Sequence, residues 1–152
     1  MGNKSSKKIT VAVSGGFDPP HSGHIEMFRA AKKLGDELVV IINNDNWIRA
    51  KKDHAFMPEQ ERKAIIEEFE CVDKVVLTKH EENPKDMSVV EALREVKPDI
   101  FANGGDRKKH NTLEGAAADE IGYKMAFNVG GGKIQSSSWI LKEYLEKHNI
   151  EK

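Results

Sequence analysis

Ile9-Thr10-Val11-Ala12-Val13-Ser14-Gly15-Gly16-Phe17-Asp18-Pro19-Pro20-His21-Ser22-Gly23-His24 is the stretch on which the reading of the chain turns. Its first five residues are apolar or β-branched and read as a buried strand. The run from Ile25 to Leu34 has helical spacing, with Ile25, Phe28, Ala31 and Leu34 placed to face a core. Between them lies a Gly-rich turn. A turn of this kind gathers backbone N–H groups and a helix N-terminus at one point, which makes an anion site. His21 and His24 stand at that point, flanking Ser22-Gly23.

The rest of the chain repeats the strand–helix alternation. Glu37 to Ile42 reads as a second strand, its continuous apolar run suiting burial on both sheet faces. Asn43-Asn44-Asp45-Asn46 closes it. A short helix through Trp47 to Ala50 is expected next, then a mobile loop over Lys51-Lys52-Asp53-His54. Pro58 suits the first turn of a further helix, where Glu59 and Glu61 favour its positive end. Ala64, Ile65 and Phe69 are expected to point inward from it. Strands are expected over 72–77, 99–102 and 124–129. Helices are expected over 89–96, over 113–121 after a Thr112 cap, and from about Ser136 to Lys147. Such alternation predicts an α/β fold: a doubly wound, five-stranded parallel sheet in a single domain. Residues 9–152 are expected to form that domain, with 1–8 as a disordered tail. Met1-Gly2-Asn3-Lys4-Ser5-Ser6 also fits a myristoylation pattern, but a short polar tail explains it more simply.

Composition narrows the function. The 152 residues are 38% apolar and 32% charged, with 24 Lys and Arg against 25 Asp and Glu for a net charge of −1. No basic field for nucleic acid results. A single cysteine, Cys71, excludes an intrachain disulfide framework and points to a reducing, cytoplasmic setting. No apolar stretch approaches the ~18 residues of a membrane span, so no stable membrane insertion is expected.

In a sheet of this type ligands bind beyond the carboxyl ends of the strands. Those ends read Ser14-Gly15-Gly16, Asn43-Asn44-Asp45, Asn103-Gly104-Gly105-Asp106 and Gly130-Gly131-Gly132-Lys133, a rim for a polar ligand. The dinucleotide fingerprint, the phosphate-binding P-loop and the G-x-S-x-G elbow are all absent. His21 and His24 alone do not make a metal site, and no metal ligands are assigned. What remains is His-x-Gly-His on the first turn of a helix. Two imidazoles there can both donate to phosphate oxygens, which suits phosphoryl or nucleotidyl transfer. Two exposed or capping histidines are the plainer alternative. That alternative fits one histidine better than a pair flanking a glycine.

Gly16-Phe17-Asp18-Pro19-Pro20-His21-Ser22-Gly23-His24 resembles the G-x-F-D-x-x-H-x-G-H motif of the cytidylyltransferase-like nucleotidyltransferase superfamily. The likeness extends over about Ile9 to Leu145. Within the superfamily it is similar to heptose-phosphate adenylyltransferase domains and to glycerol-3-phosphate cytidylyltransferase. The resemblance implies transfer of a nucleotidyl group from a nucleoside triphosphate to a phosphorylated sugar or polyol, with pyrophosphate released and Mg²⁺ carried in with the triphosphate. It implies that His21 and His24 stabilise the α-phosphate and that Gly15, Gly16 and Phe17 lie along the phosphates. Lys51 or Lys52 would reach the triphosphate, and Arg62 would join the catalytic set. Gly104, Gly105 and Asp106 would lie near the base and ribose. Ser136, Ser137 and Ser138 would hold the β- and γ-phosphates, with Lys133 nearby. The serine run replaces a threonine-rich segment, and Arg107 stands where an aromatic residue is usual, so base choice stays open; the heptose-like Gly104-Gly105-Asp106 tilts it slightly to ATP over CTP. A CTP enzyme acting on glycerol phosphate or an amino-alcohol phosphate is the alternative within the class. A nucleotide-binding regulator without turnover is the alternative outside it. A homodimer is expected.

Other residues keep two readings. Asp18 either shapes the loop or touches the acceptor, and Asp45 either meets the acceptor or serves an ordinary turn. Trp47 either stacks on a ligand or anchors the mobile loop. Trp139, Tyr144 and Leu145 belong to the core or to a dimer contact. The basic run 107–110 meets an acidic ligand or is a solvated loop. His54, His80, His110 and His148 are expected to be solvated, and Cys71 to be a small apolar filler.

Overall fold

The computed structural model describes residues 7–104, 112–130 and 137–148. Along the chain run β1 (Thr10–Gly15), α1 (Ser22–Lys32), β2 (Glu37–Ile42), α2 (Asp45–Lys52), α3 (Glu59–Glu67) and β3 (Lys74–Leu77). They are followed by α4 (Val90–Val96), β4 (Ile100–Ala102), α5 (Leu113–Ile121), β5 (Lys124–Ala126) and α6 (Ser137–Lys147). The five strands form one parallel sheet in the order β3-β2-β1-β4-β5. The architecture is the single Rossmann-like α/β domain that the alternation predicts.

Alternation along β1 divides the core. Val11 and Val13 join Phe28 and Ala31 of α1 and Ile66 of α3 on one face. Ala12 joins Ala92 and Leu93 of α4 and Phe101 and Tyr123 on the other. Leu38 to Ile42 are buried because both faces of β2 are covered. The chain leaves β1 toward β2 on one side and returns to β4 on the other. That reversal is the topological switch, and the His21/His24 loop sits at its mouth.

Several expectations need correction. Asn44 caps α2, its Oδ1 accepting from Trp47 N at 3.0 Å, so the helix starts earlier than expected. It also runs on through Lys51 and Lys52, which form a basic last turn rather than a loop. On α3 the inward residues are Arg62 and Ile66, while Ile65 is 37% exposed and Ala64 is exposed. Phe69, beyond the helix, is only partly buried. The phase of α3 is set by Arg62, whose guanidinium reaches under the loop after β1. Leu34 is 42% exposed because α1 ends at Lys32 and leaves it in the turn. β5 stops at Ala126, and Asn128 with φ 57° breaks the extended run. Trp139 and Tyr144 are 51% and 55% exposed, so neither belongs to the core.

Candidate active site

The site begins with two glycines that admit close packing. A Cβ on Gly15 would lie 2.8 Å from Phe17 Cζ, and one on Gly16 would lie 2.8 Å from Ile48 Cδ1. Phe17 takes a left-handed φ of 52°, which turns the chain and sends its ring inward. There it meets His24 edge-on at 4.8 Å and Phe28 at 5.2 Å.

The two histidines open α1 as a reciprocal cap. His21 Nδ1 accepts from Gly23 N at 3.1 Å, and His24 Nδ1 accepts from His21 N at 3.1 Å. This is a capping box with imidazoles in place of the usual hydroxyl and carboxylate. The rings stack with centroids 3.7 Å apart. A nitrogen that accepts from a backbone N–H carries no proton. Each neutral ring therefore holds its proton on Nε2. Burial, then the repulsion that two protonated rings in contact would feel, then the Lys52 charge, push the His24 pKa down to about 3. Nδ1 of each ring secures the helix, and Nε2–H is the group left on each neutral ring that can donate.

Below the loop Arg62 is fully buried. Its Nε donates to Met57 O at 2.8 Å, and its Nη1 to Gly16 O at 2.8 Å and Asn43 O at 2.7 Å. Its Nη2 pairs with Asp45 Oδ1 at 2.7 Å. One guanidinium thereby ties together the loop after β1, the end of β2, the start of α2 and the 53–58 connector. Asp18, 3% exposed, fastens that connector again, its two oxygens accepting from Phe56 N at 2.7 Å and Met57 N at 2.6 Å. Of its two readings, loop shaping is the one the geometry displays. Asp45 heads α2, with its backbone N donating to Glu59 Oε1 at 2.7 Å.

Lys51 and Lys52 are exposed at the end of α2. Lys51 Nζ lies 5.6 Å from the Trp47 ring centre, whereas the Lys52 charge is felt at His24. Gly104 follows β4 into open space. Gly105, Asp106, the 107–110 run, Lys133 and Ser136 lie outside the described residues, and Ser137 and Ser138 begin α6. Among the described residues no three His, Cys, Asp or Glu side chains gather to hold a metal. Cys71 is half-buried, and burial pushes its thiol pKa up, which suits a filler rather than a nucleophile.

Sequence reasoning missed one cluster. His80, expected to be solvated, has both ring nitrogens engaged, with Nδ1 2.8 Å from Thr78 Oγ1 and Nε2 2.9 Å from Ser88 O. Trp47 anchors through Nε1, which donates to Met87 O at 2.7 Å, so it holds the 79–88 segment and not the loop expected after α2. Polar residues at strand ends were the available signal, but the Trp47–Met87 pair is 40 residues apart, and Thr78, His80 and Ser88 lie in an irregular connector with no periodic pattern.

Comparison with known proteins fits this geometry. Residues 12–129 match the model of the cytidylyltransferase-like family. The chain belongs to that family. It is therefore an enzyme of the nucleotidyltransferase class. A protein of Thermoplasma volcanium named FAD synthase is 33% identical over 141 residues, 91% of this chain and 95% of its own length. Another FAD synthase, from Pyrococcus horikoshii, is 36% identical over 104 residues, 68% of this chain and 67% of the relative. A solved Thermoplasma volcanium structure, described as a lipopolysaccharide core biosynthesis protein, superposes with a TM-score of 0.68 at 31% identity, covering 85% of this chain and 100% of that one. In the cytidylyltransferase-like family a nucleotide and a small phosphorylated substrate are the expected ligands. Among the described residues no helix is long and apolar enough to cross a membrane.

Proposed function

We propose that the chain transfers AMP from ATP to FMN and releases pyrophosphate. The observation that carries the reading is the paired imidazole cap, which fixes two neutral Nε2–H donors at the strand–helix junction. A phosphate oxygen of the acceptor attacks the α-phosphorus. The new P–O bond forms as the bond to the β-phosphate breaks, and pyrophosphate departs. The acceptor phosphate is already ionised at neutral pH and needs no general base. The donors stabilise charge that builds on the transferring phosphorus. Lys52, whose charge reaches His24, is the lysine assigned to the triphosphate. Arg62 and Asp18 act by positioning the loop, and Ser136–Ser138 are assigned to the β- and γ-phosphates. Mg²⁺ would enter on the polyphosphate and neutralise its charge; no protein ligand is assigned to it. The choice of FMN is supported by the relatives named FAD synthase.

A sugar or polyol phosphate as acceptor is the second reading, favoured by the solved neighbour's description as a lipopolysaccharide core biosynthesis protein. A pyrophosphate-release screen of the four common nucleoside triphosphates against FMN, sugar phosphates and glycerol 3-phosphate separates the two, with product mass as the check. Release with ATP and FMN, giving FAD, is expected. Release only with CTP, or only with a sugar phosphate, overturns the first reading. Tight nucleotide binding without release from any pair would instead mark a regulator.

A further inference from the structure

On the β4–β5 side of the sheet the two strand ends are joined beyond their last residues. Asn103 follows β4 and is buried. Its N donates to Ala126 O at 2.8 Å, and its O accepts from Val129 N at 2.9 Å. Its side-chain Nδ2 also donates to Ala126 O, at 3.2 Å. The chain leaving β5 is thereby held beside the end of β4. Asn128 at φ 57° and Gly130 at φ 90° turn it. Val129 and Met27 both pack on the core face that holds α1. The turn then reaches α1 itself. A Cβ on Gly130 would lie 3.0 Å from Met27 Cα, 3.4 Å from its Cβ and 3.5 Å from its Cγ. The first of these is helix backbone, which cannot swing aside as the tip of a side chain can. Glycine is required here twice, for a φ that L side chains rarely adopt and for want of room. Met27 lies three residues after His24, so the two are neighbours on one face of α1.

We infer that Gly130 is a positioning residue for the histidine pair: the 128–130 turn is a buttress against α1, one turn behind His24, and sets where the two Nε2–H donors stand. The inference rests on the proposed transfer, in which those donors act on the transferring phosphorus. Gly130 acts through the helix. Both rings are bonded to its first turn, so a displaced α1 carries both imidazoles with it. Donors aimed at charge that develops in the transition state suffer most from such a displacement. The effect therefore belongs to turnover and not to the affinity for either substrate.

Gly122 supplies the control. It ends α5 at φ 103° with nothing within 4 Å of where its Cβ would lie, so Gly122→Ala meets the same backbone strain and no neighbour. Gly130→Ala is expected to lower kcat by about 10–100-fold, with the KM for ATP and for FMN each within about threefold. Gly122→Ala is expected to lose stability and to keep kcat within about twofold. If Gly130→Ala does not fold, Met27→Ala decides. It keeps the helix and removes the side chain that flanks Gly130, and a fall in kcat alone, about threefold or more, is expected. Equal falls in kcat for the Gly130 and Gly122 variants, a rise in KM without a fall in kcat, or unchanged kcat in a folded Gly130→Ala overturn the inference. Magnetic resonance of the His21 and His24 rings gives a readout that needs no turnover. Ring signals that shift in Gly130→Ala (or Met27→Ala) and not in Gly122→Ala support the buttress; ring signals that stay in place overturn it. A wild type that releases no pyrophosphate overturns the proposed function, and the ring signals still decide the buttress.

Discussion

At His24 the cap on Nδ1 and the proposed phosphate donation from Nε2 fall on two nitrogens of one ring, and the two can be separated. His24→Gln keeps an acceptor at the third helical position, where Glu and Gln ordinarily complete a capping box. Turnover should fall by roughly 10²–10³, as for loss of one transition-state donor, while urea denaturation shows little change at pH 7. The same variant tests the titration. His24 has a folded pKa of about 3 against an ordinary value of 6.5, so the unfolded chain binds the extra proton between those values. Stability is therefore complete above about pH 6.5 and falls as pH drops toward 3, by up to about 1.4 kcal/mol per pH unit. In His24→Gln that part of the acid slope should vanish; an unchanged slope between about pH 4 and 6 would refute the assignment. Gly15 is limited by space, since a methyl would press on the buried Phe17 ring. Gly15→Ala should cost about 1–3 kcal/mol, read by thermal or urea unfolding. The spacing of His21 and His24 was legible in the sequence, and so was their place at a helix start. Capping was also among the readings the sequence allowed; that the two rings cap reciprocally through Nδ1 was not legible, because imidazole is not among the usual cap groups.

The connector between α2 and α3 shows how elements cooperate. Arg62 supplies buried donors to three carbonyls and one carboxylate. Removing it leaves Asp45 and those carbonyls without their donor. Arg62→Met should cost about 3–5 kcal/mol in a urea titration, and Arg62→Lys should not rescue it, since a point charge cannot reach a fork of partners. Asp18→Asn replaces one acceptor oxygen with an N–H facing another N–H. Faster hydrogen exchange at Phe56 and Met57 is expected, with the helices unaffected. Strand and helix order could be read from periodicity, as β2 and α1 illustrate. The inward face of α3 could not, because an arginine holds the position that hydrophobic spacing reserves for an apolar residue. The extent of α2 was missed because Asn44 reads as a turn until its partner Trp47 N is seen. The engagement of His80 was out of reach because its ring partners, Thr78 and Ser88, lie in an irregular connector without periodicity, and Asn44 and Asn46, which bond its carbonyl, lie 36 and 34 residues earlier.

For the whole molecule, a specific nucleotide site should appear as linkage. ATP with Mg²⁺ should raise the melting temperature in a concentration-dependent way, and His21→Ala should weaken the shift. The expected homodimer is checked by sedimentation of wild type and Trp139→Ser, with a smaller species expected for the variant. The sheet order has a consequence for synthesis. Of the sheet's five described strands β1 is made first, yet it lies at the centre and pairs with both β2 and β4. Thr10 N also reaches Asp99 Oδ2, 89 residues further on. Until the ribosome has delivered residue 102, β1 has an open edge, and the histidine loop lacks half of its foundation. A nascent chain stalled before that point would carry an apolar strand with unpaired backbone groups, the template on which strands of other chains can add.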